Sequence, residues 1–109
     1  MDIYTVSYAT VDLDNPENCG SGAFMDIFST KAKAVKAIKD DIETIAQDHL
    51  DLYDKKDWKS EFGVKNAKEL AKKMLVRKTT DSMYFFYEDP VNAVSTEYTV
   101  TKYSTDYIK

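Results

Sequence analysis

The sequence predicts an α+β fold with the element order β-β-α-α-β-β. Three observations lead there. The two ends of the chain are rich in β-branched and aromatic residues. The middle carries apolar residues at helical spacing. Clusters of Asp, Asn, Pro and Gly fall between these regions rather than inside them. The economical packing of such elements is a mainly antiparallel four-stranded sheet with both helices on one face. A length of 109 residues corresponds to one compact domain, residues 1–109, large enough to bury its own core.

The elements follow in order. "IYTVSYATV", Ile3 to Val11, reads as a strand. "DLDNPENCGSG", Asp12 to Gly22, is the clearest loop. "AFMDIF", Ala23 to Phe28, predicts a short strand returning antiparallel to the first. Ser29 or Thr30 then caps a helix, its hydroxyl accepting from an N–H of the first turn. Val35, Ile38, Ile42, Ile45, His49 and Leu52 recur in alternating steps of three and four. They predict one buried face on a helix from about Lys31 to about Tyr53. "DKKDWKSEFGVK" is polar with two aromatic anchors, Trp58 and Phe62, and Gly63 ends a turn. In "NAKELAKKMLVRK", Asn66 and Glu69 have the spacing of a capping box, and Leu70, Ala71, Met74 and Leu75 form the apolar side. "SMYFFYE", Ser82 to Glu88, is a continuous aromatic strand and so central. "DPVNA" is a turn, and "VSTEYTVTKY", Val94 to Tyr103, is the last strand.

Charge is distributed against the long helix. Lys31, Lys33, Lys36 and Lys39 occupy its first half, and Asp48, Asp51 and Asp54 its end. A helix prefers the reverse, and each misplaced exposed charge in the end turns costs roughly 0.3–1 kcal/mol at low salt. Lys36 with Asp40 and Lys39 with Glu43 are spaced to offset part of this. Two readings follow: a solvated face, or a charge separation retained for a partner. On the second, Asp48, Asp51, Asp54 and Asp57 meet a basic protein surface.

Composition narrows the function classes. Acidic residues outnumber basic ones 19 to 15, for a net charge of −4, and Arg77 is the only arginine. Direct nucleic-acid binding is therefore not expected. No apolar run reaches membrane-spanning length, and no basic segment followed by an apolar one opens the chain. A single cysteine rules out an internal disulfide and fits a reducing cytoplasm.

Candidates for chemistry are few. Cys19 in "NCGSG" with His49 as base is the one conceivable nucleophile pair, although it lacks a recognised signature. Asp12, Asp14, Asn15 and Glu17 resemble the start of a calcium loop, but the glycine and distal glutamate are missing and Pro16 intrudes. No zinc spacing and no phosphate loop occur. No cofactor, metal or catalytic residue is expected. Seven of the eight tyrosines lie in the β-rich ends: Tyr4, Tyr8, Tyr84, Tyr87, Tyr98, Tyr103 and Tyr107. On a sheet covered by helices on one side, tyrosines on the open side make a contact surface; Tyr98 and Tyr103 are its representatives.

Size, composition and the strand–"FST"–helix entry at Phe28 to Thr30 resemble small phage- or prophage-encoded accessory proteins of the anti-defence type, anti-CRISPR proteins among them. The resemblance implies a non-catalytic inhibitor in the host cytoplasm that occupies a basic or functional surface of a nucleic-acid-handling enzyme. Two alternatives stand beside it. One is a small enzyme or a ligand- or metal-binding protein using Cys19, His49 or the Asp12–Glu17 loop. The other is an assembly protein that self-associates, as a homodimer, through a sheet edge or the tyrosine face.

Overall fold

A computed structural model describes residues 2–12, 14–15, 17, 19–79, 84–89 and 94–104. The strands are β1 (Asp2–Asp12), β2 (Cys19–Ala23), β3 (Leu75–Thr79), β4 (Tyr84–Glu88) and β5 (Val94–Ser104). The helices between β2 and β3 are α1 (Lys31–Leu50), the short α2 (Trp58–Phe62), which follows a 3₁₀ turn at Lys55–Asp57, and α3 (Ala67–Met74). The fold is α+β, with a five-stranded antiparallel sheet in the order β2-β1-β5-β4-β3.

The expected four strands are thus one too few. The residues read as the tail of the second helix become β3. The helix stops at Met74, and Leu75 takes an extended backbone, φ −71° and ψ 112°. Leu75 then pairs with Tyr87, and after a bulge Arg77 pairs with Phe86. β3 and β2 are the edges, so β4 is an interior strand paired on both sides, as its continuous aromatic run predicts; Ser82 and Met83 lie outside the described residues, as does most of the "DPVNA" turn. β5 is the middle strand, flanked by β1 and β4.

The second strand is also shifted. Cys19–Ala23, all but Ala23 inside the predicted loop, pairs with β1; beyond Ala23 the predicted strand keeps the Phe24 N–H to Val6 O hydrogen bond at 2.9 Å and the bridge from Phe28 to Tyr4. Glycine argues against a strand on propensity. Packing overrides it: a Cβ on Gly22 would stand 2.5 Å from the Tyr8 hydroxyl, so the Tyr8 ring lies across a position that only glycine leaves open.

Both predicted caps form. Thr30 Oγ1 accepts from Lys33 N at 3.2 Å, and Asn66 Oδ1 accepts from Glu69 N at 3.0 Å. The Glu69 carboxylate returns to Lys65 N at 2.6 Å, one residue before the expected capping-box position. Along α1, Ala34, Ile38, Ile42, Ala46, His49 and Leu50 are buried, with Val35 and Ile45 packed at the margin. They meet one sheet face, built from Tyr4, Val6 and Tyr8 of β1, Tyr98 and Val100 of β5, and Phe85 and Tyr87 of β4. The register makes these one face, since Val6 pairs with Val100, Tyr8 with Tyr98, and Tyr98 with Phe85.

Truncation of the stripe separates core from surface. Ile38 is fully buried and Leu52 is 73 % exposed. Ile38→Ala should cost about 2–5 kcal/mol in urea unfolding, whereas Leu52→Ala should stay within about 0.5 kcal/mol of the parent. Equal losses would mean that the assigned face of α1 is wrong.

Candidate functional site

The carboxyl end of α1 gathers most of the residues singled out by charge. The helix ends earlier than its periodicity predicts, at Leu50 rather than Tyr53. Leu52 N and Tyr53 N donate to His49 O and Leu50 O, three residues back, in a tightened last turn. The change of pitch carries Leu52 out of the buried stripe into solvent. The turn is fixed from outside by Trp58, whose indole Nε1 donates to Leu50 O at 2.9 Å and also approaches Tyr53 O at 3.3 Å. One side chain thereby satisfies carbonyls that a helix end leaves without partners. Tyr53 packs edge-on against Phe62, ring centroids 5.1 Å apart. Gly63, in the left-handed region at φ 68°, ends α2, and Lys73 Nζ donates to the carbonyls of Phe62 and Gly63 at 3.1 and 3.3 Å.

On this braced end the acidic residues are presented. Asp48, Asp51 and Asp54 are exposed and Asp57 is half-buried. Gln47 Nε2 holds the Asp51 carboxylate at 2.8 Å. No hydrogen bond or ion pair joins the carboxylates of Asp48, Asp54 or Asp57 to another described residue. Leu52, between Asp51 and Asp54 in the chain, is exposed, and Tyr53 after it is partly exposed. Sequence periodicity assigned Leu52 to the core. The available signal was Trp58, eight residues past Leu50 and able to cap a helix that stops there.

At the amino end of α1 the lysines are only partly engaged. Lys36 Nζ pairs with Asp40 at 2.8 Å, which raises the lysine pKa through that hydrogen bond and the carboxylate's charge. Lys33 Nζ donates to Ser29 Oγ at 3.1 Å. The expected Lys39–Glu43 pair does not close to within 4.0 Å.

The tyrosine surface is not where it was expected. Tyr98 is 2 % exposed, on the covered face beneath α1, and Tyr4, Tyr8 and Tyr87 lie on the same face. Parity is the reason: all share their face with Val6 and Val100 through the register. Tyr98 belongs to a ring cluster with Tyr8, Phe24 and Tyr87, centroids 5.8–6.1 Å apart. Its hydroxyl donates to Asp41 Oδ2 at 2.7 Å. Tyr103, 44 % exposed, belongs to the alternate set of β5 residues, with Thr99 and Thr101. Tyr107 lies outside the described residues.

The catalytic alternative is not assembled. Cys19, Val11, Ser95 and Glu88 form one row across four neighbouring strands. Cys19 is therefore about 14 Å from β4. His49 sits at the β4 end, its Nε2 2.8 Å from Asp89 Oδ2, where a protonated Nε2 donates to the carboxylate. Asp12 turns inward on its own loop, accepting from Asp14 N and Asn15 N at 3.0 and 3.2 Å. Among the described residues no cluster of three His, Cys, Asp or Glu residues could hold a metal ion, and no helix is long and apolar enough to cross a membrane.

Comparison with protein-family models, curated proteins and solved structures finds no match.

The Tyr98–Asp41 contact has a pH signature. Burial raises the Tyr98 pKa well above its ordinary 10.0, and the bond to Asp41 raises it further. The folded state holds this proton more tightly than the unfolded chain, whose tyrosines ionise near about pH 10. The stabilisation is complete below that pH and is lost as pH rises towards the folded value. Tyr98→Phe should cost about 1–2 kcal/mol at pH 7, and that gap should narrow above about pH 10. Parallel stability–pH curves for the two proteins would refute the linkage.

Proposed function

We propose that this chain is a non-catalytic protein-binding module that docks the carboxyl end of α1 on a basic surface of a partner protein. The observation that carries this reading is Leu52, 73 % exposed on a braced turn in the Asp48–Asp57 segment that also carries Asp51 and Asp54. An apolar residue held in solvent amid acids fits an interface centre with a charged rim. The carboxylates supply steering and register, and the apolar contact supplies dwell time.

The partner class is a protein that grips phosphates, because carboxylates at the helix end offer negative charge to the same lysines and arginines. This agrees with the resemblance to small phage-encoded inhibitors of host defence, whose targets handle nucleic acid. Binding of this kind places the protein in the host cytoplasm and needs no cofactor. Cys19, on β2, and His49, on α1, are held apart and take no part. With Tyr98 inside the core, the tyrosine surface loses its central member. The acidic end is therefore the stronger of the two candidate interfaces.

The test uses the full chain and one partner captured from the native host. Replacing Asp48, Asp51, Asp54 and Asp57 together by Asn should slow association about tenfold at low salt and flatten its salt dependence. Leu52→Ala should instead speed dissociation, by about 1–2 kcal/mol in affinity. Tyr103→Ala should change neither. Normal binding by both the Asn and Leu52 variants would sink the proposal, and a dominant loss from Tyr103→Ala would move the interface to the open sheet face.

A further inference from the structure

A cavity of about 240 Å³ opens between α1, α3 and the β3–β4 side of the sheet. Its floor and walls are apolar: Ile42 from α1, Ala71 from α3, Leu75 from β3, and Phe85 and Tyr87 from β4. The small side chain of Ala71 leaves space at a position where α3 faces α1 and β3. A cavity of roughly 150 Å³ lined by such groups holds a benzene ring, so this one accommodates a ring with a side arm or a short acyl chain.

The lining also carries charge. Lys39 comes from α1, Lys68 and Lys72 from α3, and Lys78 from β3, against the single carboxylate of Glu43. The local formal charge is +3, in a chain whose net charge is −4. Within 4.0 Å no described carboxylate pairs with Lys39, Lys68, Lys72 or Lys78. Lys78 Nζ instead lies 5.8 Å from the centroid of the Phe85 ring, over the cavity wall. Lys68 and Lys72 are four apart on one helix, a like-charge spacing that destabilises α3, and Lys68 stands near its positive dipole end. Three separate elements thus converge four cations on one apolar opening, against local helix preference.

We propose that this cavity binds a small amphipathic carboxylate, an apolar ring or short acyl chain bearing a single negative charge. The apolar body displaces water from Ile42, Leu75, Phe85 and Tyr87, and the carboxylate meets the lysines. Glu43 on the same lining disfavours a ligand of higher charge. An extended polyanion is disfavoured as well, since the positive charge is confined to one opening on an acidic molecule. The site is independent of protein docking at the end of α1. Ile42 and Leu50 are eight residues apart, about 12 Å along the helix.

The experiment is an amide NMR titration of the full chain with octanoate and 3-phenylpropanoate, with 1-octanol as the neutral control. Shifts should centre on Ile42, Ala71, Leu75, Phe85 and Tyr87 and saturate at or below about 1 mM. The alcohol should bind at least tenfold more weakly. Replacing Lys68, Lys72 and Lys78 together by Gln should weaken octanoate about tenfold, the sum of several partly exposed charge contacts. Ala71→Phe should abolish saturation by filling the space; if that variant does not fold, the Gln variant decides. Equal binding of octanol and octanoate, shifts absent from the cavity residues, or full affinity in the Gln variant would overturn the proposal. So would tighter saturation of the same residues by adenosine monophosphate, which would assign the site to a nucleotide.

Discussion

The antiparallel ladder between β1 and β5 is the interaction on which the rest of the structure depends. It runs without interruption from Asp2↔Ser104 to Asp12↔Val94, and it joins the two ends of the chain. Its covered face brings Val6 against Val100 and Tyr8 against Tyr98, the surface on which α1 lies. β2 attaches to one side of the pair, and β4 with β3 to the other. β2, β3 and β4 each span only five residues, too short to be stable without the strands they pair with. A fold whose longest pairing joins strands far apart in sequence pays the loop-closure entropy early, and such topologies fold slowly for their size.

The ladder also decides what its tyrosines do. Once Val6 and Val100 face the helix, every second residue on the two strands must do so too, and Tyr4, Tyr8 and Tyr98 follow. Tyrosine is tolerated there because its hydroxyl can reach the margin of the core. Tyr98 reaches Asp41 on α1 and so ties helix to sheet by a directional bond in an otherwise apolar contact. The opposite face is left to Thr99, Thr101 and Tyr103 on β5 and to Thr5, Ser7 and Ala9 on β1.

What was legible in the sequence was local. The apolar stripe of α1, its Thr30 cap and the Asn66 cap all follow from side-chain period and hydrogen-bonding chemistry within a few residues. What was not legible depended on distant partners. "LVRKT" has no strand signal strong enough to outweigh the lysine-rich helix before it; its extended form is fixed by pairing with β4. Cys19–Ala23 looks like a loop until the Tyr8 ring is placed over Gly22. The parity of β5 is visible in the sequence, but which parity is covered is settled only by the register with β1. Among the candidate site residues, the acidic group at the end of α1 was visible as a charge pattern. The exposure of Leu52 was not, because it turns on the hydrogen bond from Trp58 to Leu50 O. The lysines of the cavity, at 39, 68, 72 and 78, are scattered in sequence and meet only in the fold.

The reversed charge of α1 becomes intelligible once its neighbours are in place. Of the lysines in its first half, Lys36 is balanced by Asp40, Lys33 turns back to Ser29, and Lys39 joins three lysines from α3 and β3. Of the acids at its end, Asp51 is held by Gln47, while Asp48 and Asp54 face solvent beside Leu52. The modest net charge of −4 therefore conceals two patches of opposite sign within one helix length. Fields from such patches are screened over roughly 8–10 Å at physiological salt, so each patch acts on its own surroundings. A single helix in this way carries negative charge at its end and contributes a lysine to a cavity lined by four of them at its middle. Its unfavourable dipole alignment, roughly 0.3–1 kcal/mol per exposed terminal charge at low salt, is small beside the burial of Ile38, Ile42 and Leu50 that holds it to the sheet.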